Sequence, residues 1–381
     1  MLKWVQGGVS ALTGSAEPIY GKEAFRSVAT QVEEGQNPYS DLTKDDLKWR
    51  APSSTNVETQ TFYFSAPSGH TGFVQVIHSN PVGLHYQAQF TCLVHHDEKK
   101  EESVWTSTHL ENFETQGTDF VADGLSIKLN EDLNEYTISS VVAEDSLVEI
   151  KFSRGSCEGF KIGKDGTSYY GEDPNAPWGS MRHVFWPRAT VTGKLVVKGT
   201  TIELGDKTHG MYVMAIQGMK PHHAAARWNF LNFQGPTTSA VVMEFTTPPS
   251  YGSQTVSVGC VTKDDKVVAG FSDVNVEHRN AKDDDVDWPA PGAITFTMNG
   301  KGKDDNETPV KAVVKGDLPN LVDRVDVMAE IPTLVKKVAA GISGARPYIY
   351  QYSNRLDLEL TVGDSTTNEQ GHAFSEATFI S

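Results

Sequence analysis

The sequence predicts an all-β protein built from two β-barrels in tandem. Short segments in which apolar and polar residues alternate recur along the chain, separated by Gly, Asn, Asp and Pro, as is typical of antiparallel barrels and sandwiches. The same rhythm runs twice through the 381 residues, a length that suits two all-β domains. No region reads as alternating strand and helix, which argues against Rossmann and TIM-barrel architectures.

The first segment, residues 1–18, is predicted to contain a short amphipathic helix that contacts membranes. At about 100° per residue, its apolar side chains fall on one side of the helix. That side consists of Met1, Leu2, Trp4, Val5, Val9 and Leu12. A helix this short is marginal in water, so it needs a surface to lie on. A membrane interface suits the Trp4 ring; the body of the protein is the alternative surface.

Residues 19–56 read as an irregular connector, and residues 57–217 as the first barrel. Strands are expected in this barrel wherever the period of the sequence changes to two. The predicted strands cover residues 61–64, 72–77, 84–93, 125–129, 136–142, 147–152, 182–198 and 209–217.

Residues 218–381 read as a second barrel of similar size. Its predicted strands cover residues 227–234, 239–247, 254–261, 266–271, 273–279, 293–298 and 309–315, with a closing strand over 347–362. A helix is predicted before that closing strand, with Pro332 in its first turn and Gly341 at its end. A helix laid across a barrel just before the last strand is a feature of lipocalins, so we expect two lipocalin-like (calycin) barrels.

Composition narrows the classes of function. The formal net charge of −16 repels the phosphates of nucleic acids, so we expect no nucleic-acid partner. Cys92, Cys157 and Cys260 are odd in number and far apart, which favours reduced, buried thiols in an intracellular compartment over a disulfide framework. No run of 18 apolar residues is present, and the first residues lack the continuous apolar core of a signal peptide. We therefore expect a soluble, intracellular protein.

The chain carries no catalytic motif of the GxGxxG, Walker A or HExxH kind. Two histidine-rich stretches, residues 95–97 and 222–223, are poor metal sites because neighbouring residues on a strand point to opposite faces. We expect no metal and no other cofactor.

Residues 210–230 are the densest candidate for a binding site, since they mix methionines and aromatics with a few polar groups. The candidate ligand-binding residues are Tyr212, Met214, Trp228, Phe230, Arg227 and Asn229, with Trp186 on the preceding strand. The same stretch fits a packed junction between the two barrels, and the residues alone leave both interpretations open.

Three sequence motifs resemble the fungal survival factor 1 family. They are residues 1–8 (MLKWVQGG), 16–21 (AEPIYG) and 217–230 (QGMKPHHAAARWNF). The resemblance implies two lipocalin-like domains in tandem, a role in oxidative-stress survival and sphingolipid homeostasis, and non-vesicular transfer of ceramide from the endoplasmic reticulum to the Golgi. It also implies membrane attachment through an N-terminal helix acetylated on Met1. Members are expected in the cytoplasm or nucleus and peripherally on both membranes.

Two other classes of function compete with a lipid carrier. Related two-barrel folds occur in fungal Diels–Alderase-type pericyclases and carotenoid hydratases, which work by shaping a pocket and would escape a motif search. Candidate groups for such an enzyme are Tyr212, His209, Arg227 and Asn229. A scaffold for protein partners is the third class. Convergent, pKa-perturbed groups in a pocket would favour the enzyme, and a filled barrel would favour the scaffold.

Overall fold

A computed structural model describes residues 19–33, 35–80, 83, 85–327 and 347–380. The predicted N-terminal amphipathic helix and the predicted helix over residues 332–341 lie outside these residues. Within them, no helix is long and apolar enough to span a bilayer. The described part of the chain is almost entirely β-structure in two large antiparallel sheets, so the predicted all-β class is confirmed.

The first sheet forms barrel 1. Its strands are β1 (Phe25–Arg26), β2 (Tyr39–Asp41), β3 (Asn56–Ser65), β4 (Thr71–Asn80), β5 (Gln87–His95), β6 (Val104–His109), β7 (Glu114–Gln116), β8 (Asp119–Ala122), β9 (Leu125–Leu129), β10 (Glu135–Ser140), β11 (Ser146–Ser153), β12 (Phe160–Ile162), β13 (Thr167–Tyr170), β14 (Gly179–Val197), β15 (Thr200–Leu204) and β16 (His209–Gln217). Short 3-10 helices lie at Lys22–Ala24, Val28–Gln31, Lys44–Leu47 and Lys100–Glu102.

The second sheet forms barrel 2. Its strands are β17 (Arg227–Gln234), β18 (Thr238–Thr246), β19 (Thr255–Lys263), β20 (Lys266–Phe271), β21 (Asp273–Arg279), β24 (Ala293–Lys301), β25 (Pro309–Asp317), β26 (Leu321–Asp326), β27 (Tyr348–Val362) and β28 (Ser365–Phe379), with a separate hairpin of β22 (Lys282–Asp283) and β23 (Pro289–Ala290). One α-helical turn, Pro221–Ala224, connects the barrels, and a 3-10 helix lies at Pro249–Tyr251.

In each sheet the two edge strands are neighbours in the sequence, so a short connection joins the two ends of the strand order. The order in barrel 1 runs from β6 through β3, β16 and β14 to β7, and residues 110–113 join β6 to β7. The order in barrel 2 runs from β20 through β17 and β28 to β21, and Ser272 alone separates β20 from β21. The inner faces carry separate apolar cores, as expected of barrels whose side chains alternate inward and outward.

Two expectations about individual elements are corrected by the structure. The strand predicted over 347–362 is β27, but it is not the last strand: β28, which is 15 residues long, follows it as the second strand of a hairpin and also pairs with β17. The connector is not simply irregular either. Its β1 and β2 pair with β13 and β12, so residues 25–41 extend the first sheet.

The two barrels share a third apolar cluster that includes Tyr63, Phe73, Phe230 and Phe374. Tyr63 on the outer face of barrel 1 lies 5.1 Å from Phe230 and 5.4 Å from Phe374 of barrel 2, measured between ring centroids. At this spacing aromatic rings attract one another beyond the area they bury. The barrels are therefore joined by a packed core.

Arg188 adds a polar connection between the barrels. Pro187 cannot donate a hydrogen bond to the sheet, and the β14–β16 register shifts between Trp186 and Ala189. Arg188, inside this irregularity, is buried and donates hydrogen bonds to barrel 2. Its acceptors are the carbonyl oxygens of Gly235, Pro236 and Thr238 and the carboxylate of Asp265, at 2.8–3.2 Å.

Candidate ligand-binding site

Residues 42–51, which we call the strap, cross one end of barrel 1. Leu47 and Trp49 of the strap are 2% and 8% exposed and belong to the apolar core inside the barrel. The Trp49 ring lies 5.3 Å from that of Phe120 and 5.8 Å from that of His78, and its backbone N–H donates to the carbonyl of Gly117 at 2.9 Å. The strap therefore covers this end of the barrel interior.

The strap is held by a buried carboxylate, Asp46. It accepts hydrogen bonds from Lys161 Nζ at 2.6 Å, from Arg182 at 2.8 Å, and from both the backbone N–H and the hydroxyl of Thr43 at 2.8 Å. Burial alone would raise the pKa of Asp46, but the hydrogen bonds from Lys161 and Thr43 hold that pKa below the usual value.

A second buried carboxylate, Glu58 on β3, anchors the far end of the strap. It accepts the backbone N–H groups of Arg50 at 2.7 Å and Ala51 at 2.8 Å, and burial raises its pKa. The two carboxylates together fix both ends of the segment that crosses the barrel.

Behind the strap, the barrel wall is aromatic. The β3, β16 and β14 registers align Phe62, Tyr212 and Trp186 across neighbouring strands. With Tyr136, these rings form a cluster whose centroids lie 4.9–5.2 Å apart. Met214 faces the same interior next to Tyr212. These side chains are buried and pack against one another as part of the apolar core of barrel 1, and they are of the apolar and polarisable kinds that also line ligand pockets.

A neutral polar relay crosses this aromatic surface. Gln60 Nε2 donates to the Tyr212 hydroxyl at 3.3 Å and to the carbonyl of Thr118 at 3.4 Å, and the hydroxyls of Tyr212 and Tyr136 are 3.3 Å apart. Burial raises the pKa of both tyrosines well above the ordinary value, so their hydroxyls stay protonated. The relay can therefore donate and accept hydrogen bonds, but it holds no base.

Several polar atoms around this end of the barrel make no hydrogen bond within the described residues, although they are buried. They are Trp49 Nε1, Asn56 Oδ1, Gln60 Oε1, His78 Nδ1 and Asn80 Oδ1. Asn56 and Asn80 are cross-strand partners on β3 and β4. They lie two residues along these strands from the cross-strand pair of Glu58 and His78. Buried polar groups in folded proteins are nearly always paired with protein, water or ligand. This set therefore suits an uncharged ligand that both donates and accepts hydrogen bonds.

The sequence-predicted candidates fall into separate places. Tyr212, Met214 and Trp186 lie together inside barrel 1, whereas Phe230 packs in the cluster between the barrels with Trp228 at its margin. Asn229 faces the interior of barrel 2 and Arg227 is exposed. The structure does not bring these residues into a single pocket, because residues 212–214 end one barrel and residues 227–230 begin the next.

The groups proposed for an enzyme do not converge either. His209 lies at the end of β16, where its Nε2 is 3.3 Å from Arg188, and burial together with the Arg188 charge lowers its pKa to about 4. Tyr212, Arg227 and Asn229 lie in the three other environments just described. No convergent acid–base pair is formed by these candidates.

The residues that sequence reasoning missed are Trp49, Gln60, His78 and Tyr136. Gln60 carried a signal, since it is the polar residue within an alternating series that continues into Phe62 and Phe64 on the inner face of β3. Trp49 carried a weaker signal, because it is a tryptophan in a segment otherwise predicted to be an irregular connector.

The remaining reactive residues have structural partners. All three cysteines are buried, and burial raises the pKa of Cys92 and of Cys157 to about 12 and that of Cys260 further, so none is a thiolate nucleophile. His95 contacts Asp97 and His96 contacts the carbonyl of Ser68. Among the described residues, no group of three His, Cys, Asp or Glu side chains is arranged to hold a metal.

Comparison with known proteins places the whole chain among fungal relatives. The model of the Svf1 family matches residues 2–381. The chain is 48% identical over 388 aligned residues to the ceramide-binding protein SVF1 of Debaryomyces hansenii, and 47% identical over 403 to that of Aspergillus fumigatus. It is 47% identical over 401 to that of Yarrowia lipolytica, and in all three alignments both proteins are covered completely.

Solved structures resemble this fold at low sequence identity. The crystal structure of CghA with Sch210972 has a TM-score of 0.63 at 11% identity and covers 94% of this chain and 98% of its own. Kievitone hydratase from Nectria haematococca has a TM-score of 0.53 at 14% identity and covers 93% and 98%. At such identities the likeness shows the fold alone, and the expected two-barrel, lipocalin-like architecture is confirmed.

Proposed function

The chain belongs to the Svf1 family, and on that premise we propose that it binds ceramide inside barrel 1 and carries it between membranes. The observation that carries this proposal is its full-length identity of about one half with relatives named ceramide-binding proteins. The candidate site gives that assignment a chemical basis.

Ceramide has a neutral head, with an amide and hydroxyl groups, on long hydrocarbon chains. The neutral donors and acceptors of Gln60, His78 and Trp49 match such a head, and the aromatic wall matches the hydrocarbon. Each methylene exposed to water costs about 0.8 kcal/mol, so a ceramide crosses the cytosol only if an apolar interior replaces water. The strap covers that interior, and a ligand entering at this end has to displace Trp49.

The matching test compares two glutamines on neighbouring strands. Gln60→Leu removes the Nε2 donor to Tyr212 and the unpaired side-chain Oε1 inside barrel 1. We expect the affinity for ceramide to fall by about tenfold, the equivalent of one hydrogen-bonding group. Gln75→Leu is the control, because Gln75 bonds Thr61 on the outer side of the same strand pair. Short-chain ceramide titrated into each purified full-length protein gives the affinities.

Equal affinities for Gln60→Leu and the wild-type protein would place the ligand elsewhere. Absence of ceramide from the wild-type protein, by lipid mass spectrometry after mild purification and by titration, would overturn the carrier proposal itself.

Delivery is proposed to run from the endoplasmic reticulum to the Golgi, with the apolar residues of the N-terminal segment touching both membranes. An acetylated Met1 would lose its terminal charge and enter the interface more easily. Disturbed ceramide levels would then account for a role in oxidative-stress survival, which the protonated, buried cysteines do not supply directly.

Trp4→Asp is expected to release the protein from membranes while leaving the barrels folded, because it places a charge on the apolar side of the segment. Gln6→Asp adds the same charge to the polar side and should change membrane binding much less. Co-sedimentation with liposomes measures both. If Trp4→Asp still sediments like the wild-type protein, the membrane contact lies in another part of the chain.

A further inference from the structure

Barrel 2 contains a polar end that differs in charge from the one in barrel 1. Glu244 on β18 points into the barrel and is 8% exposed. Its cross-strand partners are Asn229 on β17 and Ser257 on β19, which face the same interior. The next inward-facing residues on β17 and β18 are Leu231 and Val242, each two residues along its strand. Both belong to the apolar core of barrel 2. A carboxylate thus stands at the end of an apolar interior.

The hydrogen-bond donors to this carboxylate are neutral groups, and the charge of Arg227, which is exposed, acts on it only as a weaker influence that lowers its pKa. Asn229 Nδ2 donates to Glu244 Oε1 at 3.0 Å, Ser257 donates to Oε2 at a long 3.4 Å, and His278 Nε2 donates to the side-chain Oδ1 of Asn229 at 2.7 Å. Burial raises the pKa of Glu244 and, with the Arg227 charge, lowers that of His278, so the imidazole brings no cation. Within the described residues Glu244 forms no ion pair.

A second, independent feature is a buried serine hydroxyl that lies further inside the barrel, at the level of Leu231. Ser375 on β28 is the cross-strand partner of Leu231 and of Tyr352, and it faces inward together with Ala373 and Ala377. It is 1% exposed, and its hydroxyl makes no hydrogen bond within the described residues. A buried hydroxyl without a partner costs free energy that a ligand group can recover.

We propose that barrel 2 is a second lipid site, which binds a long-chain amine with its ammonium group on the Glu244 carboxylate. A hydroxyl group on the same ligand would meet Ser375, and its hydrocarbon chain would follow the apolar core. A cation paired with a buried carboxylate offsets the cost of burying its charge, and a long-chain amine supplies that cation together with hydrocarbon. Ceramide carries no charge, so this ligand differs from that of barrel 1.

Arg227 gives the proposal a directional consequence. It is exposed at the rim of the barrel, two residues before Asn229 on the same strand face. A cation at the rim repels an entering ammonium group, although solvent weakens the effect. Removing it with Arg227→Gln should tighten amine binding modestly, whereas an anionic ligand would bind more weakly.

The test uses dodecylamine and dodecanoic acid, which share chain length and differ in the sign of their charge, together with short-chain ceramide. Titration into the full-length protein should show amine binding that Glu244→Gln weakens by about tenfold or more, the loss expected for a charged hydrogen bond. Ser375→Ala should leave dodecylamine affinity unchanged and weaken a long-chain amino alcohol. Gln60→Leu should spare amine binding, and Glu244→Gln should spare ceramide binding.

Three results would overturn the second site: no dodecylamine binding by the wild-type protein, equal affinities in Glu244→Gln, or dodecanoic acid binding in place of the amine. Ser375→Ala removes only the unpaired hydroxyl, so unchanged amino-alcohol affinity in a folded Ser375→Ala protein would exclude the assigned hydroxyl contact. The Gln60 and Glu244 variants report on different barrels. Failure of the amine site therefore leaves the ceramide proposal intact, and failure of the ceramide proposal leaves the amine site intact.

Discussion

Asp46→Ala is expected to lower the free energy of unfolding by about 3–5 kcal/mol, the usual cost of removing one partner from a buried ion pair. Lys161 and Arg182 would remain buried with their charges uncompensated, and Thr43 would lose the acceptor that fixes the start of the strap. Urea denaturation monitored by tryptophan fluorescence gives the free energies. The strap should also loosen, so bound ceramide should exchange faster at a given temperature.

Asp45→Ala is the matched control. Asp45 is the neighbouring carboxylate on the same 3-10 helix, but its side chain is 73% exposed and pairs with the exposed Lys48. Exposed pairs contribute about 0–1 kcal/mol, so this variant should unfold like the wild-type protein. A similar loss in both variants would show that the strap, rather than its buried carboxylate, is sensitive to substitution.

The Asp46 contribution also has a predicted pH dependence. Its pKa is lowered in the folded protein, so the stabilisation is complete above the ordinary aspartate pKa of about 3.9 and is lost as pH falls through the lower folded value. The stability difference between the wild-type protein and Asp46→Ala should therefore be full at neutral pH and shrink in acid. A constant difference across that range would contradict an electrostatic origin.

Arg188→Ala is expected to cost about 3–5 kcal/mol as well, because it leaves the carbonyl oxygens of Gly235 and Pro236 without the donor they have here, and takes one of two donors from that of Thr238. Asp265→Ala supplies the control: that carboxylate is 64% exposed, and its loss should cost about 1 kcal/mol or less. Urea denaturation of both variants measures these two losses in the free energy of unfolding. Equal small losses would show that the hydrogen bonds of Arg188 contribute little to the stability of the junction.

The fold could largely be predicted from sequence because alternation is a local signal. The series from Gly72 through Ile77 reads directly as a strand, and it lies within β4. β28 was not predicted, because its first residues, 365–370, are uniformly polar and read as a loop. Only its pairing with residues 357–362 of β27 makes it a strand, and a local sequence pattern does not show such pairing.

The candidate site was harder to predict for a different reason. Alternation shows that Tyr212 and Met214 share a face, but which face is inward depends on register, which one sequence does not reveal. Asn229 and Phe230 are adjacent in sequence and face different apolar cores, barrel 2 and the junction respectively. Trp49 reaches barrel 1 only through the tertiary path of the strap.

The late position of β28 governs the order in which the two barrels can be completed during synthesis. Every strand of barrel 1 has been made once Gln217 leaves the ribosome, and β3 then finds β16 without waiting for later residues. In barrel 2, the second neighbour of β17 is β28, which begins more than 130 residues further on. Until β28 has been synthesised, β17 and β27 keep unpaired edges of the kind that invite aggregation. A finished barrel 1 beside them can hold the growing half in place while that pairing is awaited.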